Sequence, residues 1–505
     1  MSEGTSYGQI LRASSIMGGA QGISYLISLL RVKVVAVLLG PAGVGIIGLY
    51  MSATGLLGAV TSMGLSGSAV RAIARAEGQG DPLAAARAIR MLRRLCWATG
   101  VLGWVATAAL AVPLSQGLFK SNQHVWALAL LGSSLLINSI SSGQQALLQG
   151  LRRIGDVARV QVAAAVVNGV VTIVLYAALR EQGIVPVLVA NAAVTLACSW
   201  WFARQIAVPE VEMDWRAAVA EARPMLALGA AMMWSGVLSL LLDLFTRTLI
   251  SRQFGVESAG LYQAAWTLSG LFAGFVLGAM GTDFYPRLTA AIHDRGSAIR
   301  AVNEQTEIGL LLALPGLLAT LALAKWMIWI LYSSEFAPAA DILAWMLVGV
   351  FGRVLSWPLG YIQLALGAGR WFFATEVTFL AMQATLVAWL VPTHGPLGAA
   401  YAFAGCYVLY TIGMAWVGRR LIGFRWSKGV LQTISVSITL GLAALLANRL
   451  LPGFYAEIAG VVVTLVGFIY CLRGLAQRLG PGHMIWKLVS KVPGARYLFP
   501  KSSHK

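Results

Sequence analysis

The chain has 505 residues, 58% of them hydrophobic and only 11% charged, with a net charge of +18. A soluble globular protein carries about 25% charged residues. No soluble fold of this size has interior enough for so much apolar side chain, so composition indicates an integral membrane protein. Apolar segments of about 20 residues or more recur along the whole chain, which excludes a barrel of alternating ten-residue strands. In lipid the backbone must satisfy itself internally, so the segments are helices and the class is an all-α polytopic membrane protein.

Fourteen spans are predicted, at 9–39, 44–70, 86–112, 124–149, 160–180, 184–203, 224–253, 258–284, 305–332, 338–366, 371–392, 396–418, 430–449 and 454–473. The first is too long for a signal peptide and lacks a small-residue cleavage site. With the N-terminus placed in the cytoplasm, twenty-eight Lys and Arg fall on the cytoplasmic side and five on the other (Lys120, Arg180, Arg252, Lys325, Arg449). That asymmetry predicts a multi-pass protein of a bacterial inner membrane with both termini cytoplasmic, and it accounts for the positive charge without nucleic acid. Four cations are counted to neither side and lie within the spans: Arg31, Lys33, Arg247 and Arg353.

In the first span Gln21, Ser24, Ser28 and Arg31 recur at i, i+3, i+7 and i+10 and share one helical face. Ser14, Gly18 and Gly22 form a small-residue row suited to close packing. Arg31 stands nine residues before Gly40, about 13 Å deep at 1.5 Å per residue. The polar face reads as a cavity wall or as interhelical hydrogen bonding, and Arg31 as a ligand or a snorkelling anchor. Lys33 points to another side, where snorkelling is the better account and a second ligand the alternative.

Across the end of the first span and the start of the second, "LGPAGVGIIGLYMSATGLLGAV" from Leu39 lines up with "FGVESAGLYQAAWTLSGLFAGF" from Phe254: Gly40 meets Gly255, Gly45 meets Gly260 and Gly55 meets Gly270. Each stretch closes one span and opens the next. Such a repeat predicts two six-helix halves of like topology with a substrate site between them. The expected organisation is an N-terminal lobe at 1–208, a cytoplasmic linker at 209–222, a C-terminal lobe at 223–422, two extra helices at 423–475 and a basic tail at 476–505. The tail, with Trp486, Tyr497 and Phe499 among its cations, reads as an amphipathic segment on the inner leaflet or as a disordered solubilising tail.

In the seventh span Ser235, Ser239, Asp243, Arg247 and Ser251 recur every fourth residue, and Asp243 and Arg247 can pair one turn apart. A central charge costs at least ~2.5–3.5 kcal/mol on insertion scales, so this stripe should avoid lipid. It reads either as a self-neutralising structural pair or as a cavity wall. Arg353 in the tenth span, Glu376 in the eleventh and Asp283 near the cytoplasmic end of the eighth are further intramembrane candidates. Cations outnumber carboxylates among the central positions, so a cavity they line would attract an anion, and Arg suits phosphate through its planar fork.

Other chemistry is missing. The four cysteines lie in apolar segments without pairing, and the five histidines show no metal-ligand spacing. There is no P-loop, G-x-S-x-G or H-E-x-x-H, so an enzyme is not expected. The acidic run "EVEMD" at Glu210 reads as a solvated link.

"LLGPAGVGIIGLY" (Leu38 to Tyr50), "FYPRL" (Phe284 to Leu288), the block from Ser333 to Leu380 and "THGPLGAAYA" (Thr393 to Ala402) together resemble Wzx-type flippases of the MOP exporter superfamily, including the enterobacterial common antigen flippase and O-antigen translocases. The likeness covers roughly residues 5–420. It implies two lobes in a V that open alternately to each side, and a substrate of undecaprenyl diphosphate bearing an oligosaccharide repeat unit, carried to the periplasmic leaflet in lipopolysaccharide or related polysaccharide synthesis. It also implies that Arg31, at the spacing from Gly40 seen in lipid II flippases, serves the diphosphate; the common antigen flippase has its cation at the position of Lys33. Val32 and Tyr25 depart from the lipid II pattern, which has Asp and Arg there.

The expected substrate ligands are thus Arg31, Arg247, Lys33 and Arg353, with Gln21, Ser24 and Ser28 beside them. No cofactor is expected. Asp243, Glu376 and Asp283 are the candidates for coupling to a proton or sodium gradient, and a polymerase and chain-length regulator are conceivable protein partners. The rival readings are a multidrug or ion-coupled exporter of the same superfamily, which should have an acidic cavity, and a polytopic glycosyltransferase or O-antigen polymerase, which should carry charges on large periplasmic loops.

Overall fold

The computed structural model describes residues 3–209, 211 and 215–479, with backbone alone at 3–16, 215–228, 230–232, 272–273, 275–276, 278–283, 453 and 479. Glu210, Glu212 and Asp214 of the acidic link, and residues 480–505 of the basic tail, lie outside the described residues.

Among these, every regular element is helical: α1 Glu3–Ser62, α2 Leu65–Gly78, α3 Pro82–Ala109, α4 Ala111–Phe119, α5 Val125–Gly150, α6 Ile154–Leu179, α7 Ile184–Ala203, α8 Trp215–Ala291, α9 Arg295–Ala322, α10 Ala324–Leu331, α11 Ala339–Ala365, α12 Gly369–His394, α13 Pro396–Ile422, α14 Lys428–Leu450 and α15 Gly453–Leu479. Ten helical segments are long and apolar enough to cross a membrane, or eleven if α3 and α4, bent by 58°, make one span. Three of the ten are unusually long, at 46, 50 and 39 residues. At 1.5 Å per residue each reaches about 58 Å or more, close to twice the ~30 Å hydrocarbon core.

Each long segment contains a break. Gly40 interrupts α1 at φ +62, ψ −172, and Gly255 interrupts α8 at φ +84, ψ 168. This region is essentially restricted to glycine. The two residues that the sequence repeat aligns therefore break their helices in the same way. Pro41, directly after the first break, needs no helical donor and has its φ already set for a new helix. The third break is the short 3₁₀ turn Arg180–Gly183 between α6 and α7.

The second predicted span, 44–70, ends earlier than expected. Met63 and Gly64 both take positive φ, and α2 restarts at Leu65 as a separate amphipathic helix. Its buried Leu65, Ala69 and Ile73 join Ile89, Leu92 and Cys96 of α3 and Ala146 and Leu147 of α5 in one core cluster. The ninth predicted span, 305–332, is likewise divided between α9 and α10.

The chain forms two compact units. The first comprises residues 1–260 and 331–335. Small residues let its helices close in: a side chain on Gly100 or Gly143 would press into Leu136 or Cys96 across the α3–α5 contact. Between α6 and α7, Asn168 donates to Thr195 at 3.2 Å and Asn191 to Thr172 at 3.2 Å. The four cysteines are unbridged, three of them buried.

The second unit comprises, among the described residues, 261–330 and 336–479. Here α14 and α15 are built onto α9 through polar contacts at both ends. Asn303 of α9 donates to the carbonyl of Arg425 at 3.1 Å and accepts from the Ser427 amide at 2.8 Å. Glu307, 8% exposed, pairs with Arg478 of α15. Toward the other end Asn448 donates to the Leu321 carbonyl at 3.0 Å. The two extra helices are an integral part of this unit.

Candidate functional site

Within the first unit, Arg31 lies on the side of α1 that meets α6. One turn earlier Ile27 packs at Gly169, and the Arg31 guanidinium is close enough to the buried Tyr176 hydroxyl of α6 for the two to interact electrostatically. Arg31 itself is half-buried. Among the described residues it forms no ion pair with a carboxylate. The predicted polar face is only partly buried: Gln21 is exposed, while Ser24 and Ser28 are intermediate. Ser24 turns back to the Ala20 carbonyl at 2.8 Å.

Lys33 is separated from this face, as its spacing predicts. Its ammonium donates to the backbone carbonyl of Tyr332 in the short segment 331–335 of the same unit. A cation held by a carbonyl keeps its charge but spends a donor on anchoring. Sequence reading does not find this contact, because the acceptor is a backbone atom about 300 residues away.

Of the α8 stripe, Asp243, Arg247 and Ser251 turn inward toward α1 and α4, while Ser239 is exposed and bonds the Ser235 carbonyl of its own helix. Arg247 is 5% exposed and donates through Nη1 to both Asp243 and the Ser52 hydroxyl of α1. Ser52 Oγ lies 3.1 Å from Asp243 Oδ2. Ser251, one turn on, donates to the Leu118 carbonyl at 3.3 Å. Asp243 Oδ1 and Arg247 Nε are buried with no hydrogen-bond partner among the described residues. The predicted pair is therefore real, and Ser52, which the sequence does not single out, makes it a triad joining α1 to α8. Its charges neutralise one another, whereas Arg31 has no carboxylate partner among the described residues.

Two of the few cations at the sparse end cap the broken helices. Arg180 donates to the Leu38 carbonyl at 3.4 Å, just before the Gly40 break. Lys120 donates to the Arg252 carbonyl at 2.9 Å, just before the Gly255 break. Helix C-termini leave carbonyls without partners, and a cation there serves both the hydrogen bond and the dipole.

A cavity of 460 Å³ opens among α1, α3 and α5. Thr54, Thr61, Thr99, Ser134, Asn138 and Ser142 line it beside Met51 and Leu135, and no charged side chain does. Several of these hydroxyls already bond a carbonyl of their own helix, as Thr61 does to Leu57 at 2.8 Å. Each still presents a lone pair to a ligand. The volume falls in the range of about 300–1,000 Å³ typical of small-molecule sites.

In the second unit, Arg353 and Glu376 line one cavity of 220 Å³ with Trp357, Tyr361, Tyr407 and Tyr410. Tyr407 interacts electrostatically with both charges. The side chain of Asp283 lies outside the described residues. No group of three or more His, Cys, Asp or Glu gathers as a metal site among the described residues.

A model of a polysaccharide biosynthesis protein family matches residues 34–341. The lipid III flippases of Escherichia coli (strain K12) and Shigella flexneri are each 24% identical over 398 residues, which covers 75% of this chain and 90% of theirs. Among solved structures, the lipid II flippase MurJ in an inward closed conformation superposes with a TM-score of 0.69 at 13% identity, over 92% of this chain and 99% of that one. An inward-facing multidrug resistance MATE transporter of the MOP superfamily gives 0.65 at 15% identity, over 79% and 94%. At these identities the likeness establishes the fold alone, one shared with these two transporters.

Proposed function

The chain belongs to the polysaccharide biosynthesis protein family matched at residues 34–341, and from that premise we propose that it is a flippase moving a polyprenyl-diphosphate-linked oligosaccharide between membrane leaflets. The similarity to two lipid III flippases over most of both chains supports this reading. The observation that carries it is Arg31, a guanidinium about 13 Å into the membrane by helix rise that has no carboxylate partner among the described residues. An uncompensated charge at such depth costs at least ~2.5–3.5 kcal/mol. A diphosphate offsets that cost with charge-assisted hydrogen bonds to the guanidinium fork. The neighbouring Tyr176 hydroxyl is a further donor in reach of the same anion.

The glycan occupies the hydroxyl-lined cavity of the first unit. Neutral hydrogen bonds contribute about 0.5–1.5 kcal/mol each, enough to replace the water around sugar hydroxyls and weak enough to let them go. The prenyl chain stays in lipid. Arg247 supports the site through the Ser52–Asp243 triad and not as a free phosphate ligand, and Lys33 is an anchor.

The topology that goes with this has fourteen crossings, two for each of the three long apolar segments, with both termini in the cytoplasm. The loop asymmetry of Lys and Arg supports that orientation. Asp243 and Glu376 are the candidates for coupling to a proton or sodium gradient. An imposed gradient should accelerate flipping in wild type but not in Asp243→Asn or Glu376→Gln; equal acceleration in both variants removes them from that role.

Reconstitution tests the proposal. Vesicles carrying the purified protein and a fluorescent prenyl-diphosphate oligosaccharide should expose label from the inner leaflet to a membrane-impermeant quencher. Label that stays protected as in protein-free vesicles overturns it.

A further inference from the structure

A second cavity of the first unit, 360 Å³ in volume, lies among the ends of α3, α5 and α7 and is lined by Arg93, Arg204, Trp97, Trp200, Gln144 and Cys96. It sits at the cation-rich end of these helices, beside Arg87, Arg90 and Arg94. From its chemistry we propose that it binds the phosphate headgroup of an anionic glycerophospholipid of the inner leaflet.

The side chains match that ligand in three ways. Arg204 stacks its guanidinium on Trp201, 3.8 Å from the ring centroid, and on Trp200 at 4.7 Å. Stacking uses the flat face of the cation and leaves its N–H edge, the part that recognises phosphate. Neither Arg93 nor Arg204 forms an ion pair or a side-chain hydrogen bond among the described residues, so two guanidinium forks share one cavity without an anion of the protein's own. Gln144 accepts from the Ser199 hydroxyl at 2.6 Å through Oε1, so the capacity left to its amide is that of a donor.

The rim is made for lipid. Trp97 and Trp200 are 56% and 50% exposed. Large indoles in that state on a membrane protein belong at the headgroup level, where the ring is amphipathic and its N–H stays wet. Basic pockets between helices on the cytoplasmic side suit anionic headgroups, and the inner leaflet's negative potential concentrates such lipids there. The ligand is distinct from the flipped substrate, and the proposal does not rest on the flippase reading.

Native mass spectrometry of the delipidated full chain tests it. Offered equal phosphatidylglycerol and phosphatidylethanolamine, wild type should take up the anionic lipid about fivefold more, and a hundredfold excess of inorganic phosphate should not displace it. The variant Arg93→Gln/Arg204→Gln should bind the two lipids equally. If that variant does not fold, Arg204→Lys, which keeps stem and charge but loses the fork, should lower the preference about threefold. A wild type without preference, or a preference untouched by these substitutions, overturns the site. Displacement by an equal amount of undecaprenyl phosphate or by inorganic phosphate also overturns it, because it would make the cavity a substrate or free-anion site.

Discussion

Gly45 and Gly260 meet backbone to backbone. A Cβ on Gly45 would run into the Val256 carbonyl oxygen and one on Gly260 into the Pro41 carbonyl oxygen. The relation is reciprocal, because the repeat that aligns Gly45 with Gly260 also aligns Pro41 with Val256. Two helices that each restart at a glycine break therefore cross at equivalent points. Overpacking of such a contact costs about 1–3 kcal/mol. Gly45→Val should lower thermal stability in detergent by that amount and reduce flipping several-fold, while Gly18→Val, with open space around its Cβ position, should change stability little. Equal effects of the two would show that the crossing is not tight.

The Ser52–Asp243–Arg247 triad makes a prediction about pairs. Removing one partner of a buried ion pair strands the other charge, at about 3–5 kcal/mol. Asp243→Asn and Arg247→Gln should each destabilise strongly, and the double variant by clearly less than their sum. A double-mutant cycle in thermal unfolding measures this directly. Additive losses would mean that the two side chains do not depend on each other.

These contacts show what a sequence can carry. The spacing of Asp243 and Arg247 is a helical turn, so their pairing is legible, as is the Gly40–Gly255 correspondence, because both are local patterns. Ser52 is one hydroxyl among many until α8 comes against α1. The anchoring of Lys33 on the Tyr332 carbonyl and the capping by Lys120 and Arg180 are equally hidden, since backbone acceptors have no letter in the sequence. The end of the second predicted span was obscured by continuous apolarity across Met63 and Gly64, where the backbone turns left-handed.

His124 precedes α5, with its Nδ1 2.6 Å from the Tyr50 hydroxyl and its ring stacked on Phe119 at 3.8 Å. Burial lowers its pKa below the ordinary 6.5. The folded state then holds this proton less well than the unfolded chain, so stability is complete above 6.5 and is lost as pH falls through the folded value. The melting temperature should drop on acidification from pH 7.5 to 5, and His124→Gln should flatten that part of the curve. Identical slopes in variant and wild type would place the acid sensitivity elsewhere.

The docking of α15 on α9 through Glu307 and Arg478 is partly solvent-facing at the Arg478 side, 39% exposed. Glu307→Gln should therefore cost about 1–3 kcal/mol, the price of an impaired buried polar group. Faster hydrogen exchange in α15 than in α11 would localise the loss, and uniform exchange across both helices would contradict it.

On the flippase reading, Arg31 holds the substrate's diphosphate. In the reconstituted vesicle assay, Arg31→Ala should reduce flipping at least tenfold with protein level and melting temperature unchanged, and Arg31→Lys, which keeps the charge but not the fork, should retain an intermediate rate. Wild-type flipping by well-folded Arg31→Ala would contradict the account.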